Sequence, residues 1–112
     1  MLINEGKNRV RDLIVADLTN GELGTDGTGA SASDTGLIAP VAATIVALSI
    51  TTADKQLIAD YNLSSTTGNG NTYKEYELQL SAASTSLNRS TFYDVPKDST
   101  EEMQISTIVD IQ

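Results

Sequence analysis

Three segments of the chain alternate apolar and polar residues with a period of two, and these constrain the fold more than any other feature. They are residues 55–63, 72–80 and 102–111. Because successive side chains of an extended strand point to opposite faces, this pattern predicts strands with one buried face. Residues 44–51 and 87–95 are rich in β-branched and aromatic residues, which also favour extended backbone. The sequence therefore predicts a mainly β chain of about five or six antiparallel strands, arranged as a sandwich or a barrel.

The alternation also assigns individual side chains to a face. In the first segment, four residues are expected to point inward: Leu57, Ala59, Tyr61 and Leu63. In the second, the inward residues are Tyr76, Leu78 and Leu80, while Glu75, Glu77 and Gln79 are expected in solvent. In the last, one face is predicted to carry Met103, Ile105, Thr107, Val109 and Ile111.

Turn-forming residues separate these segments. Residues 64–71 read SSTTGNGN, and the dipeptide Asn69-Gly70 is typical of a tight β-hairpin. Residues 81–86 are predicted to form a small polar loop, and Pro96-Lys97-Asp98 to turn the chain before the last strand.

Residues 4–16 are predicted to form a short helix before the strands. Asn4 is a favourable N-cap, and Val10, Leu13 and Ile14 recur at near-helical spacing. Asn20-Gly21 is a turn signal that is expected to end this unit.

A chain of 112 residues is expected to form a single domain over residues 1–112. Its predicted parts are an N-terminal helical segment (1–20), a loop rich in Gly, Ser, Thr and Ala (21–37) and a β-domain (38–112). With no Trp, one Phe and four Tyr, the chain has few large core residues. Neighbouring copies can supply buried surface that one copy lacks, so we expect a homo-oligomer, a trimer being one arrangement.

The net charge of −8 argues against nucleic acid as a partner, since binding phosphates needs a basic surface. Lys7, Arg9 and Arg11 form the one basic cluster and are expected on a solvated helix face. The opening MLINEGKNRVRD lacks the apolar core of a secretory signal, and no apolar run is long enough to cross a bilayer. We therefore expect no membrane association.

The loop at residues 23–37, LGTDGTGASASDTGL, could be interpreted as a ligand site, but its residues argue against this. A phosphate cradle at Gly24, Gly27 and Gly29 would need a following helix and usually a Lys. Asp26 and Asp34 lack the spacing of a known calcium loop. Asp34 is instead expected to cap the turn at Thr35-Gly36.

The sequence also predicts no enzymatic activity. The chain has no His and no Cys, so its many serines have no evident general base. Glu75 and Glu77 lie two apart on one strand and are expected to form a solvated polar face rather than a catalytic pair across a cleft. No catalytic, cofactor-binding or metal-binding residue is predicted.

Several short motifs follow one another along the chain. A helix opens with Asn4-Glu5-Gly6, and the loop GTDGTGASASDTGL follows. A Gly-Asn-Gly turn precedes YKEYEL at residues 73–78, and Leu87, Asn88, Arg89 and Phe92 follow. In this order the motifs resemble a family of tailed-bacteriophage virion structural proteins, described as small tail-fibre or baseplate-associated β-domains. The resemblance runs from Asn4 to Ile111 and is strongest over residues 27–37.

The resemblance implies a structural role in a virion assembled in the host cytoplasm. Its expected partners are other copies of the chain and other virion proteins, at the tail, baseplate or a fibre attachment point. One alternative is a capsid decoration or head–tail adaptor protein, which composition does not distinguish. A further alternative is a carbohydrate-binding receptor-recognition module, which would need an exposed platform built from Tyr73 and Tyr93.

Overall fold

The computed structural model describes residues 1–81 and 85–112, and within these ranges it contains one α-helix, one 3-10 turn and seven strands. The helix α1 spans Asn4–Asp17, and the 3-10 turn spans Ala42–Thr44. The strands are β1 Leu18–Gly24, β2 Val46–Ala47, β3 Ser49–Ala53, β4 Gln56–Leu63, β5 Asn71–Leu80, β6 Ser86–Lys97 and β7 Met103–Asp110.

The strands form two antiparallel sheets. The larger has the order β2-β1-β5-β6 and the smaller the order β3-β4-β7. Side chains of both sheets meet in one core, where the rings of Tyr61 and Tyr76 contact edge to face with centroids 5.2 Å apart. This confirms the predicted mainly β fold, with an N-terminal helix followed by an antiparallel sandwich.

Alternation predicted β4 and β7 correctly. The four inward residues expected of β4 are all buried, with the intervening Asp60 and Asn62 exposed. On β7 every second residue from Met103 is buried or half-buried, and the residues between them are exposed. Strongly amphipathic strands can be predicted from the sequence, because the two-residue period determines which side chains lie on the buried face.

Residues 18–24 differ from the prediction: they form strand β1 rather than a turn followed by a loop. Asn20 and Gly21 lie in mid-strand, where Gly21 pairs with Val46 on one side and Leu78 on the other. A Cβ at Gly21 would lie 2.6 Å from the Tyr61 ring and 2.9 Å from the Tyr76 ring. The glycine therefore lets two tyrosines pack against the backbone, which is a packing requirement rather than a turn signal.

The hairpin predicted at Asn69-Gly70 is also wrong. Strand β4 belongs to the smaller sheet and β5 to the larger one, so residues 64–70 cross from one layer to the other. Gly68 and Gly70 have φ of +67° and +86°, values that favour glycine in this connection as they would in a hairpin. Local turn chemistry is therefore satisfied without strand pairing.

Pro96 and Lys97, predicted as part of a turn, lie at the end of β6. The Lys97 side chain is buried, and its Nζ donates to the Thr67 carbonyl at 2.8 Å and to Asn69 Oδ1 at 2.7 Å. These bonds hold the crossing segment against β6. The polar loop predicted at 81–86 includes residues 82–84, which lie outside the described ranges.

The helix begins at Asn4, as predicted, and ends one residue later than predicted, at Asp17. Its N-cap is Ile3, without a side-chain cap, so the prediction of Asn4 as N-cap is wrong. Arg11 is half-buried rather than fully solvated, and its Nη1 donates to the Ala53 carbonyl at 2.6 Å. Asn8 Oδ1 accepts the Lys55 amide at 2.7 Å, where Lys55 has φ +58°. Helix α1 therefore docks on the tight turn between β3 and β4.

The helix of the described ranges is not long and apolar enough to cross a membrane.

Candidate functional site

The outward face of the larger sheet is covered by residues 25–39, which we call the strap. This face carries Glu22 of β1, Glu75 and Glu77 of β5, and Arg89 of β6. Glu75 is 0% exposed and Glu77 is 6% exposed, so the prediction that both lie in solvent is wrong. Alternation placed them on the correct face but gave no information that a loop covers it.

The carboxylate of Glu75 is the centre of the site and accepts four hydrogen bonds. Oε1 accepts from Arg89 Nε at 2.8 Å and from the Ile38 amide at 2.9 Å. Oε2 accepts from the Ala39 amide at 2.9 Å and the Asp26 amide at 3.1 Å. Three of the four donors are strap backbone, so one buried side chain holds both ends of the strap.

Arg89 brings the two aspartates of the strap together. Its Nη1 donates to Asp34 Oδ2 at 3.2 Å, and its Nη2 donates to the Asp26 carbonyl at 3.3 Å. The Arg89 side chain is only 2% exposed. A buried guanidinium needs charged and hydrogen-bonding partners, and here it finds both in the strap and in β5.

The aspartates also cap the strap internally, although not where the sequence predicted. Asp34 Oδ2 accepts the Ser31 amide at 2.9 Å, so Asp34 caps the turn that precedes it rather than Thr35-Gly36. Asp26 Oδ1 accepts the Thr28 amide at 2.8 Å. Both carboxylates are thus used by the fold.

The ion pair shifts the pKa of both members. Burial alone would raise the pKa of Glu75, but the hydrogen bonds from Arg89 and from the strap amides outweigh it, and the pKa lies below its usual value. The hydrogen bond to Glu75 raises the pKa of Arg89. The site therefore favours the charged state of both groups.

A pair of carboxyl side chains lies beside the Glu75–Arg89 ion pair, and the pKa shift of Glu22 in it is opposite in direction to that of Glu75. Glu22 and Glu77 are directly opposite each other on β1 and β5, and Gln79 Nε2 donates to both, at 3.0 and 2.9 Å. Burial, and next the charge of Glu77, raise the pKa of Glu22. Two like charges on neighbouring strands oppose each other, so the charged form of Glu22 is disfavoured at this position.

Glycine at position 24 allows the strap to lie this close. A Cβ there would lie 2.3 Å from Glu75 Oε2 and 2.7 Å from the Ala39 carbonyl oxygen. The base of the strap is closed beside it, where the Thr25 amide donates to Ala39 and the Val41 amide to Leu23, each at 3.0 Å.

The glycine-rich segment does contain an anion cradle, but the protein's own carboxylate fills it. The amides of Asp26, Ile38 and Ala39 converge on Glu75, as they would on a bound phosphate. In the described residues no group of three or more acidic side chains is placed to hold a metal ion. The arrangement is built to fix a loop.

The sequence alone did not identify Glu75 and Arg89 as partners. They lie on paired strands, but Glu75 is opposite Thr91 and Arg89 opposite Glu77, so their contact is diagonal. The sequence does show two Glu on one predicted strand, Glu75 and Glu77, and an Arg, Arg89, on the strand that follows. Only the pairing register of the two strands shows that Arg89 meets Glu75.

The tyrosines proposed as a carbohydrate platform do not lie together on the surface. Tyr93 is 96% exposed, whereas Tyr73 is 0% exposed and its hydroxyl donates to the Gly68 carbonyl inside the fold. Tyr73 therefore does not supply the exposed ring that the carbohydrate-binding alternative requires.

No family model, curated protein or solved structure matches this chain.

Replacing Gly24 with Ala is expected to destabilise the fold by about 1–3 kcal/mol, because the new methyl group overlaps Glu75 and the Ala39 backbone. The matched control is Gly29→Ala at the exposed crest of the strap, where a Cβ meets nothing within 4 Å. Urea unfolding followed by circular dichroism measures both variants. Equal midpoints for the two would contradict the packing described at Gly24.

Replacing Glu75 with Gln is expected to cost about 3–5 kcal/mol, because Arg89 stays buried without its main counter-charge. The side-chain NH2 of the Gln would also face backbone N–H groups of the strap, and two donors cannot form a hydrogen bond with each other. Glu101→Gln, at an exposed position, is the control and should change stability by less than about 0.5 kcal/mol. Limited proteolysis should cut the strap faster only in the Glu75 variant, and unchanged protection would contradict the role of Glu75.

The stability difference between wild type and Glu75→Gln is expected to depend on pH. Because the native pKa of Glu75 is lowered from 4.5, its stabilisation is present above that value and is lost as pH falls through the native pKa. For Glu22 the sign is reversed: its contribution is present below 4.5 and is lost as pH rises through its raised pKa.

Urea unfolding of wild type, Glu75→Gln and Glu22→Gln from pH 3 to 8 tests both signs. The difference in unfolding free energy between wild type and Glu75→Gln should decrease toward acid pH. The unfolding free energy of Glu22→Gln should rise relative to that of wild type toward neutral pH. Parallel curves for all three proteins would show that neither carboxyl is perturbed.

Proposed function

We propose that this chain is a non-enzymatic structural component of a tailed-phage virion, associated with the tail, baseplate or a fibre. It acts by protein–protein assembly in several copies. Its partners are other copies of itself and other virion proteins, and it takes up its place during assembly in the host cytoplasm.

The observation that carries the proposal is that buried charged side chains fix the strap as an ordered surface loop. The strap contains residues 27–37, the strongest part of the resemblance to phage structural proteins. Its two aspartates, together with Glu75 and Arg89, are engaged in fixing a surface loop. A rigid loop on a small sandwich suits a contact surface, since an ordered loop loses little entropy on assembly.

The arrangement of acidic residues supports a structural role over hydrolysis. A pair of catalytic carboxylates acts across a substrate cleft, whereas Glu75 is enclosed and accepts four hydrogen bonds. The burial of Tyr73 also leaves Tyr93 without the second ring of the proposed glycan platform, which counts against the carbohydrate-binding alternative.

Purified particles of the phage that encodes this chain are expected to contain it in multiple copies. Mass spectrometry of the particles tests its presence, and cryo-microscopy tests its position. Density at the tail, baseplate or fibre base agrees with the proposal. Density on the capsid lattice or at the neck would favour the decoration or adaptor alternative, and absence from the particles would overturn the proposal.

A further inference from the structure

The two sheets are open along one side, where β6 and β7 lie at their edges. Between these strands runs a groove of about 700 Å³ with Tyr76 on its floor. We call it the edge groove; its apolar lining includes Phe92, Val95, Met103, Ile105 and Ile108. No other described strand pairs with the outer edge of β6 or of β7. The groove therefore offers apolar side-chain pockets beside free backbone hydrogen-bonding groups.

Strand β7 is an unprotected edge. It pairs with β4 in continuous register from Leu63–Met103 to Gln56–Asp110, and its sequence MQISTIVD contains neither Pro nor Lys. Strand β6 by contrast carries Pro96 and two register irregularities. Proteins commonly use Pro, Lys and bulges to prevent edge pairing, so β7 is the edge suited to accept another strand.

The same chain presents a short apolar segment on its surface, directly ahead of α1. Residues 1–3, which we call the tip, are Met-Leu-Ile, with relative exposures of 117%, 46% and 63%. The backbone at Ile3 is extended, with φ −79° and ψ 165°, and α1 follows directly. An exposed apolar segment of this kind, extended where Ile3 joins the helix, can add to a sheet edge.

Charge repulsion opposes contact between two β-domains but does not oppose contact through the N-terminal region. Residues 1–20 carry three basic and three acidic side chains, so the excess of eight negative charges lies entirely in residues 21–112. Glu102 lines the groove, and Asp94 and Glu101 flank its lining residues in sequence. Contact through the tip would bring Lys7 and Arg9 toward this acidic region, whereas two β-domains facing each other would repel.

We propose that the tip of one copy pairs with the β7 edge of a neighbouring copy and places its apolar side chains in that copy's edge groove. This inference deepens the proposed multi-copy structural role, on which its biological setting rests. The contact joins two different surfaces, so each copy has one donor and one acceptor. Such a head-to-tail contact generates a closed ring or an open filament.

Each contact buries only a small area, so the association of two copies is weak. Closing a ring engages both surfaces of every copy at once and raises the overall affinity by avidity. Wild-type chain is therefore expected to associate in a concentration-dependent way at tens to hundreds of micromolar, roughly the range of small interfaces.

Three substitutions at similarly exposed isoleucines test the inference. Ile3→Asp removes the apolar tip, Ile108→Asp places a charge on the exposed face of β7 at the rim of the groove, and Ile45→Asp is the control outside both surfaces. Sedimentation velocity and native mass spectrometry measure association, and circular dichroism checks that all variants are folded. The tip and groove variants are expected to associate at least about tenfold more weakly than wild type, and the control to match it.

A mixture of the two impaired variants gives the sharpest result. Ile3→Asp keeps an intact groove and Ile108→Asp keeps an intact tip, so one contact can form between them. The mixture is expected to yield one-to-one dimers and nothing larger, more weakly than wild type because no ring can close, at concentrations where neither variant alone associates measurably. A monomeric wild type, a mixture without dimers, or an equal loss in Ile45→Asp would overturn the inference.

These outcomes are distinguishable from failure of the proposed function. If the particles contain the chain but its copies touch elsewhere or not at all, the tip-and-groove contact is wrong and the virion role is still supported. Association of the purified chain in the expected pattern, with the chain absent from particles, leaves the contact standing and overturns the virion role.

Discussion

The structure depends on the buried ion pair between Glu75 and Arg89. A strap of small polar residues cannot bury enough apolar surface to fold by itself, so its order must come from elsewhere. Glu75 supplies it by accepting three strap amides, and Arg89 neutralises the buried charge while it binds the strap aspartates. Removing either partner would leave an uncompensated buried charge, so the two side chains act as one unit.

This ion pair gives the larger sheet two covered faces. One face packs on the smaller sheet through Leu23, Tyr76 and Leu78, and the opposite face holds a polar layer beneath the strap. Covering the second face with loop rather than with another sheet suits a chain with few large apolar residues. The smaller sheet keeps an exposed face, and the open side of the sandwich leaves the β6 and β7 edges free for contact.

Much of the fold could be predicted from the sequence where one physical signal dominated. The two-residue period fixed the inward faces of β4 and β7, because nothing competes with burial along those strands. Asn20-Gly21 and Asn69-Gly70 misled because glycine serves several purposes: close packing of Tyr61 at one site and a left-handed backbone in a layer crossing at the other. Glu75 could not be predicted as buried, since its cover comes from residues about forty positions away, a contact that only the folded chain reveals.

Native-state hydrogen exchange at the amides of Ile38 and Ala39 tests the central claim most directly. If Glu75 holds the strap in place, these two amides exchange as slowly as those of the core strand β5. Amides at the exposed crest around Gly29 exchange quickly. Exchange of Ile38 and Ala39 at the rate of the crest would show that the strap opens freely, and would contradict the account of a loop held by one buried carboxylate.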